Sequence, residues 1–158
     1  MKYITGDILT PNTTESHGVI VCHQVNCKGV MGAGLARQIR EKHPDVFSLY
    51  QDKCLQIAAG IGGLGDVQFC CVIAEAGYLV ANVFGQDGYG HGKQFTDYAA
   101  LRKAFERIAT GFPTYTIRIP YLMGCGLGGG NWDEVLRIIE ETLIRKGTDV
   151  EIWQLPVD

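Results

Sequence analysis

Residues 18–43 read Gly18-Val-Ile-Val-Cys-His-Gln-Val25, then Asn26-Cys-Lys-Gly-Val-Met-Gly-Ala-Gly34, then Leu35-Ala-Arg-Gln-Ile-Arg-Glu-Lys-His43. The first block is almost continuously apolar, which suits a strand in the middle of a sheet covered on both faces. The second is a glycine-rich loop. The third sets Leu35, Ala36 and Ile39 on one helical face. Strand, glycine loop and helix recur near the end of the chain. Tyr115–Pro120 reads as a strand, Gly124-Cys-Gly-Leu-Gly-Gly-Gly130 as the loop, and Trp132, Val135, Leu136, Ile139 and Leu143 as the buried stripe of a helix. Asn131 and Glu134 open that helix as a capping-box-like pair, and Arg145, Lys146 and Gly147 suit its end.

The remaining segments fit the same alternation. Tyr3–Leu9 reads as a first strand. Pro44 ends the first helix and opens a second, with Val46, Phe47, Leu49 and Tyr50 on its apolar side. Leu55–Gly65 reads as loop. Val67–Ala74 and Tyr78–Phe84 read as strands joined at Glu75–Gly77. A polar loop, Gly85–Phe95, leads to Thr96 as N-cap, with Asp97 in the first turn. The helix that follows carries Tyr98, Leu101, Phe105 and Ile108 and ends at Gly111 and Pro113. Val150–Leu155 closes the chain as a strand. This pattern predicts one α/β domain over residues 1–158: three layers, α/β/α, around a mixed, mostly parallel sheet.

Composition narrows the function. Of 158 residues, 46% are hydrophobic and 20% charged, which excludes a disordered chain. The formal charge of −3 argues against a protein that coats a phosphate backbone. No apolar run approaches the ~18 residues of a membrane span, and Met1–Thr10 lacks the apolar middle of a secretory signal. A cytoplasmic monomer is expected, its six cysteines reduced. Cys22, His23 and Cys27 lack zinc-ligand spacing, so neither metal nor cofactor is expected.

Glycine is the outlier, at 21 residues. Both glycine loops follow a strand and precede a helix. A helix start offers unpaired N–H groups and partial positive charge, and glycine lets backbone approach a ligand closely. Both loops are therefore anion-site candidates. Gly124–Gly129 matches G-x-G-x-x-G literally, but only one helix and one strand can follow it, which excludes a dinucleotide fold. No Lys-Ser or Lys-Thr follows either loop, which excludes a P-loop. Asp7, after Gly6, is an acceptor suited to the exocyclic amine of adenine; a turn aspartate is the alternative.

These segments together resemble the macro domain, a module that binds ADP-ribose. The resemblance rests on Gly6-Asp7-Ile8, on Gln24–Gly34 before a helix, and on Gly124–Gly130 before Trp132, and it spans essentially the whole chain. It implies that Asp7 takes the adenine amine with the Ile8 backbone beside it, and that Asn26 lies near the distal ribose. Gly29, Met31, Gly32, Ala33 and Gly34 would line the distal ribose and phosphate. Gly124, Cys125, Gly126, Leu127 and Gly128 would cradle the diphosphate. Two branches are closest. Phosphatases acting on ADP-ribose 1″-phosphate share Phe84-Gly85 and His91-Gly-Lys-Gln94. Hydrolases removing ADP-ribose from glutamate or DNA bases share Val30–Gly34 and Gly124–Leu127. The glutamate-linked hydrolases use a lysine and an aspartate where this chain has Gly85-Gln86 and Gly128, which puts their lysine-adduct mechanism in question here. Where Gly128 stands, many macro domains carry an aromatic residue, so the distal pocket here is wider or closed by another loop.

Hydrolysis of a phosphate ester needs a proton acceptor and stabilisation of negative charge. His23 and Asp87 are the candidate bases and Lys93 the candidate charge stabiliser. Against them stand a core histidine, a turn aspartate and a solvated lysine. Cys125 reads as packing, and His17 and His43 as surface residues. The favoured function is hydrolysis of ADP-ribose 1″-phosphate. The alternatives are a binding-only ADP-ribose module, a hydrolase of ADP-ribosylated macromolecules, and a nucleotide-binding protein outside the family.

Overall fold

Gly18–Val25 forms its strand because both faces of the segment are apolar. In the computed structural model, which describes residues 1–157, this strand is β2 (Val19–Val25), and residues 19–23 are all buried. The other strands are β1 (Lys2–Thr5), β3 (Val67–Cys71), β4 (Leu79–Phe84), β5 (Thr116–Pro120) and β6 (Asp149–Gln154). They form one sheet in the order β1-β6-β5-β2-β4-β3. All pairings are parallel except β3 with β4. The sheet is thus mixed and mostly parallel, as expected.

Helices cover both faces. α1 (Gly34–Lys42) and α2 (Pro44–Ala58) pack on one, α3 (Tyr98–Gly111) and α4 (Trp132–Thr142) on the other. Strand periodicity sorts the side chains between two cores. Ile20, Cys22, Ala81 and Val83 meet Leu101, Phe105, Val135 and Ile139. Val19, Val21 and Val80 meet Ile39 and Val46.

Several boundaries differ from expectation. β1 stops at Thr5 because Asp7 turns the chain: its Oδ1 accepts the Leu9 N–H at 2.9 Å and its carbonyl the Thr10 N–H at 2.9 Å. α2 continues through Leu55–Ala58, read as loop. Those residues are good helix formers, and nothing interrupts them before Gly60. β3 ends at Cys71, and Ala74–Ala76 forms a 3₁₀ turn closed by Gly77 at φ +70°. Asp97, not Thr96, caps α3, accepting the Ala100 N–H at 3.0 Å. His43 is buried against the Tyr78 hydroxyl at 2.9 Å, not on the surface. The six cysteines are free thiols. Among the described residues no helix is long and apolar enough to cross a membrane.

Candidate functional site

The parallel strands all point their C-terminal ends at one edge, where open α/β sheets bind ligands. A cleft of ≈ 280 Å³ lies there, at the ends of β2 and β4. Gln24, Val25 and Asn26 line its base. Val30, Gly32, Ala33 and Ala36 form one wall, and Gln86, Tyr89, Gly90, His91 and Leu127 the other. Tyr89 and Leu127 are more than half exposed and form its lip.

The first glycine loop is shaped from beneath by Asn26. Its amide nitrogen donates to the Val30 carbonyl at 2.8 Å, and its Oδ1 accepts the Lys28 N–H at 2.9 Å and the Tyr50 hydroxyl at 2.7 Å. Asn26 therefore bounds the cleft while its amide holds the loop. Met31 is corrected from ligand contact to core: it is 1% exposed, packed among Val25, Tyr50 and Phe84. Gly29 takes φ +82° in the turn. Ala33 occupies the N-cap of α1 and offers no side-chain acceptor. Among the described residues the N–H groups of Gly32 and Ala33 have no protein acceptor. The α1 terminus thus keeps its unpaired donors and its positive field.

The second loop is built differently. Thr96 Oγ1 donates to the Gly124 carbonyl at 2.6 Å and accepts from Gln24 Nε2 at 2.8 Å. The Phe95 and Thr96 N–H groups donate to the Gly128 carbonyl at 2.7 and 3.0 Å. A Cβ on Gly128 would lie 2.6 Å from Thr96 Oγ1, so no side chain fits there. Thr96 and the Gly124 carbonyl occupy the space beside Gly128. Cys125 packs against the α3/α4 core, its Sγ 3.4 Å from the Met123 carbonyl, and burial raises its pKa. Among the described residues the N–H groups of Gly126, Leu127 and Gly128 have no protein acceptor. The α4 terminus is capped by Asn131, whose Oδ1 accepts the Glu134 N–H at 3.3 Å. Unpaired donors therefore remain in the loop ahead of that cap.

Asp7 lies at the end of β1, away from this cleft. Its carboxylate is exposed and holds its own turn through Oδ1, as a turn aspartate does. Ile8 is buried beneath it. Buried Arg118 clamps the turn, donating to the Ile8 and Thr10 carbonyls at 3.0 and 2.7 Å. Its guanidinium lies 4.7 Å from the Trp153 ring centroid.

The candidate bases do not converge on the cleft. His23 pairs in register with Asn82, and its Nε2 lies 2.5 Å from Asn82 Oδ1. Strand parity places it on the α1/α2 face, 2% exposed. Burial lowers its pKa to about 4, against the opposing pull of the Asn82 hydrogen bond. It is a core histidine. Asp87 lines a different cavity, of ≈ 690 Å³, with Cys27, Lys28 and Cys54. Its exposed carboxylate lies 3.4 Å from Lys28 Nζ, and its carbonyl accepts the Cys27 N–H at 2.9 Å. Lys93 is exposed beside the second loop, its Nζ 4.8 Å from the Phe95 ring centroid. The imidazole that does line the cleft is His91.

Sequence reading missed Gln24, Gln86, Thr96 and Arg118. Gln24 donates to Gln86 Oε1 at 2.7 Å as well as to Thr96, and its own buried Oε1 has no partner among the described residues. A glutamine and an arginine inside apolar strands were the available signals, since such groups are rarely buried without a role.

No family model matches the chain. An ADP-ribose 1″-phosphate phosphatase of Candida glabrata is 31% identical over 105 residues, 62% of this chain and 54% of that protein. A second protein of that name, from Saccharomyces cerevisiae, is 23% identical over 89% of this chain and 92% of its own length. A DNA ADP-ribosyl transferase–DNA ADP-ribosyl glycohydrolase fusion protein of Thermosipho africanus is 26% identical over 85% of this chain and 37% of its length. The chain thus spans about half of the first relative and little more than a third of the third. Among solved structures, a macrodomain protein from Streptomyces coelicolor superposes with TM-score 0.78 at 28% identity, covering 96% of this chain and 97% of that one. Thermosipho africanus DarTG in complex with ADP-ribose superposes with TM-score 0.70 at 21% identity, covering 90% of this chain and 39% of that one.

Proposed function

Because this chain is a macro domain, we propose that its cleft binds ADP-ribose and that the protein hydrolyses an ADP-ribose derivative, the 1″-phosphate ester first among them. One observation carries the reading: Gly32 and Ala33 on one loop and Leu127 on the other, whose N–H groups have no protein acceptor among the described residues, line a single cleft at the strand ends. Oriented backbone donors of this kind suit a diphosphate in a protein whose net charge is negative. Adenine falls to the Asp7 turn, where Oδ2 remains for the exocyclic amine. The distal ribose falls to the space above Asn26. The two relatives named as phosphatases favour the 1″-phosphate. His91 lines the cleft, which supports giving it the proton-transfer role meant for His23 or Asp87.

Calorimetric titration with ADP-ribose, with AMP as competitor, tests binding. Asp7→Ala is expected to weaken affinity roughly 10- to 150-fold, the loss of a hydrogen bond to a charged group. Asp7→Asn keeps the turn acceptor and separates adenine recognition from turn geometry. Unchanged affinity in both would place adenine elsewhere. Phosphate release from ADP-ribose 1″-phosphate, measured for the wild type and His91→Ala, tests hydrolysis. A binding-only module is the second reading, favoured by the lack of any carboxylate lining the cleft among the described residues; affinity without release would select it.

A further inference from the structure

Arg118 is a charged side chain in an apolar strand. Its neighbours on β5, Ile117 and Ile119, are buried in the α3/α4 core, and alternation turns Arg118 to the other face, in register with Val21. It is 5% exposed. Its Nε has no hydrogen-bond partner among the described residues. The Glu151 carboxylate lies 3.8 Å from that Nε and also accepts from Trp153 Nε1 at 3.1 Å. A buried guanidinium so incompletely paired costs stability that an apolar side chain of similar volume would not. Packing therefore does not account for arginine at this position.

What it holds is the turn after β1. β1 is an edge strand of four residues, paired only with β6. The Gly6 N–H bond to the Gln154 carbonyl extends that pairing by one residue. From there side chains take over from the sheet. Lys42 Nζ and the Tyr78 hydroxyl donate to the Leu9 carbonyl at 3.1 and 3.4 Å. Arg118 Nη1 donates to the carbonyls on either side, Ile8 at 3.0 Å and Thr10 at 2.7 Å. Lys42 and Tyr78 each meet one carbonyl, whereas Arg118 spans the turn. The Trp153 and Tyr78 ring centroids, 4.7 and 5.9 Å from its Cζ, flank the guanidinium and restrict its plane. The Asp7 carbonyl is taken by the Thr10 N–H and hydroxyl, so every carbonyl from Asp7 to Thr10 is engaged. The turn presents the exposed Asp7 carboxylate to solvent, with Oδ1 committed to the Leu9 N–H. A hydrogen bond from a ligand to that carboxylate is directional, so its strength depends on how firmly the turn is fixed.

We propose that Arg118 is a positioning residue for base recognition. By fixing the Ile8 and Thr10 carbonyls, it holds the Asp7 carboxylate where it distinguishes a purine with an exocyclic amine from one with a carbonyl in that place. The proposal rests on the ADP-ribose reading, with adenine at the Asp7 turn. The test is calorimetric titration with ADP-ribose and with inosine diphosphate ribose, whose hypoxanthine lacks the amine. Wild type is expected to bind ADP-ribose about 30-fold tighter, the scale of a hydrogen bond to a charged group. Arg118→Met is expected to cut that preference to about threefold, with the affinity for inosine diphosphate ribose nearly unchanged. Added to Asp7→Ala, it is expected to cost no further ADP-ribose affinity, because Arg118 acts through Asp7. Arg118→Lys, which keeps the charge but not the planar fork, is expected to fall between, at about tenfold. It carries the test if urea unfolding shows that Arg118→Met does not fold. A wild-type preference retained in the Arg118 variants, an equal loss for both ligands, or a further loss on top of Asp7→Ala would overturn the role of Arg118 alone. A wild type that binds both ligands equally, or neither, would overturn the placing of adenine at Asp7, and the role of Arg118 with it.

Discussion

Loops 29–34 and 124–130 flank the same cleft, yet only the first leaves a helix terminus uncapped. Ala33 offers α1 no acceptor, so the dipole and the orphan N–H groups remain for a ligand. Asn131 caps α4, and Asp133 and Glu134 occupy its first turn. That terminus is already neutralised. The second loop instead offers donors within its own bend, held by the Thr96 and Phe95 contacts to Gly124 and Gly128. The difference separates two uses of glycine. Gly128, Gly129 and Gly130 are required by the close approach of segment 93–96 and of Gly124. At Gly32, a Cβ would meet only Val30 at 3.6 Å, so close packing does not demand glycine there.

The comparison can be broken at either loop. Gly129→Ala strikes the packing of the second. Alanine at φ +71° is strained, and its Cβ overlaps the Lys93 carbonyl. Urea unfolding is expected to show a loss of about 3 kcal/mol. Ala33→Asp would make the first loop like the second. It adds the missing N-cap acceptor, so stability should rise by about 1 kcal/mol. The same carboxylate takes the donors and repels a diphosphate, so titration should show ADP-ribose affinity falling about 30-fold, or about 2 kcal/mol. Stability and binding moving together would refute the idea that the uncapped terminus is kept for the ligand.

Acid loads the layer beneath the first loop. The folded His23 pKa is lowered to about 4 from an unfolded 6.5, so between those values the unfolded chain binds the extra proton. Stability is full above pH 6.5 and falls as pH drops, by about 1.4 kcal/mol between pH 7.5 and 5.5. Burial lowers His43 in the same direction and adds to the loss. His23→Met should flatten the urea-midpoint profile by about one proton, whatever it does to absolute stability. Asn131→Ala is the smallest change: about 1 kcal/mol of stability from the lost cap, with ADP-ribose affinity unchanged. A clear loss of affinity would return α4 to the anion site.

Much of the architecture could be read from residue order, because near-continuous apolar strands and glycine loops before helices carry local signals. The choice of cap was less legible. Thr96 and Asp97 are both good N-cap types, and the contact of Thr96 with Gly124, 28 residues away, leaves the cap to Asp97. His23 misled because β2 is buried on both faces. Alternation then has no polar side to reveal, and a polar residue near the strand end reads as pointing at the ligand. Asp87 misled because the backbone bond from Cys27 turns it toward the cavity behind the first loop.

The sequence by itself determined the layers, the mostly parallel sheet and the two loops that border the site, since each follows from periodicity and composition over a few turns of chain. Only the tertiary structure decided which donors stay unpaired, which histidine meets the cleft, and why the second loop is so rich in glycine. Those outcomes depend on contacts between segments far apart in the chain, such as Thr96 with Gly124 and Arg118 with the Asp7 turn. No local pattern of residues encodes such a meeting, because its energy exists only once the sheet has brought the segments together.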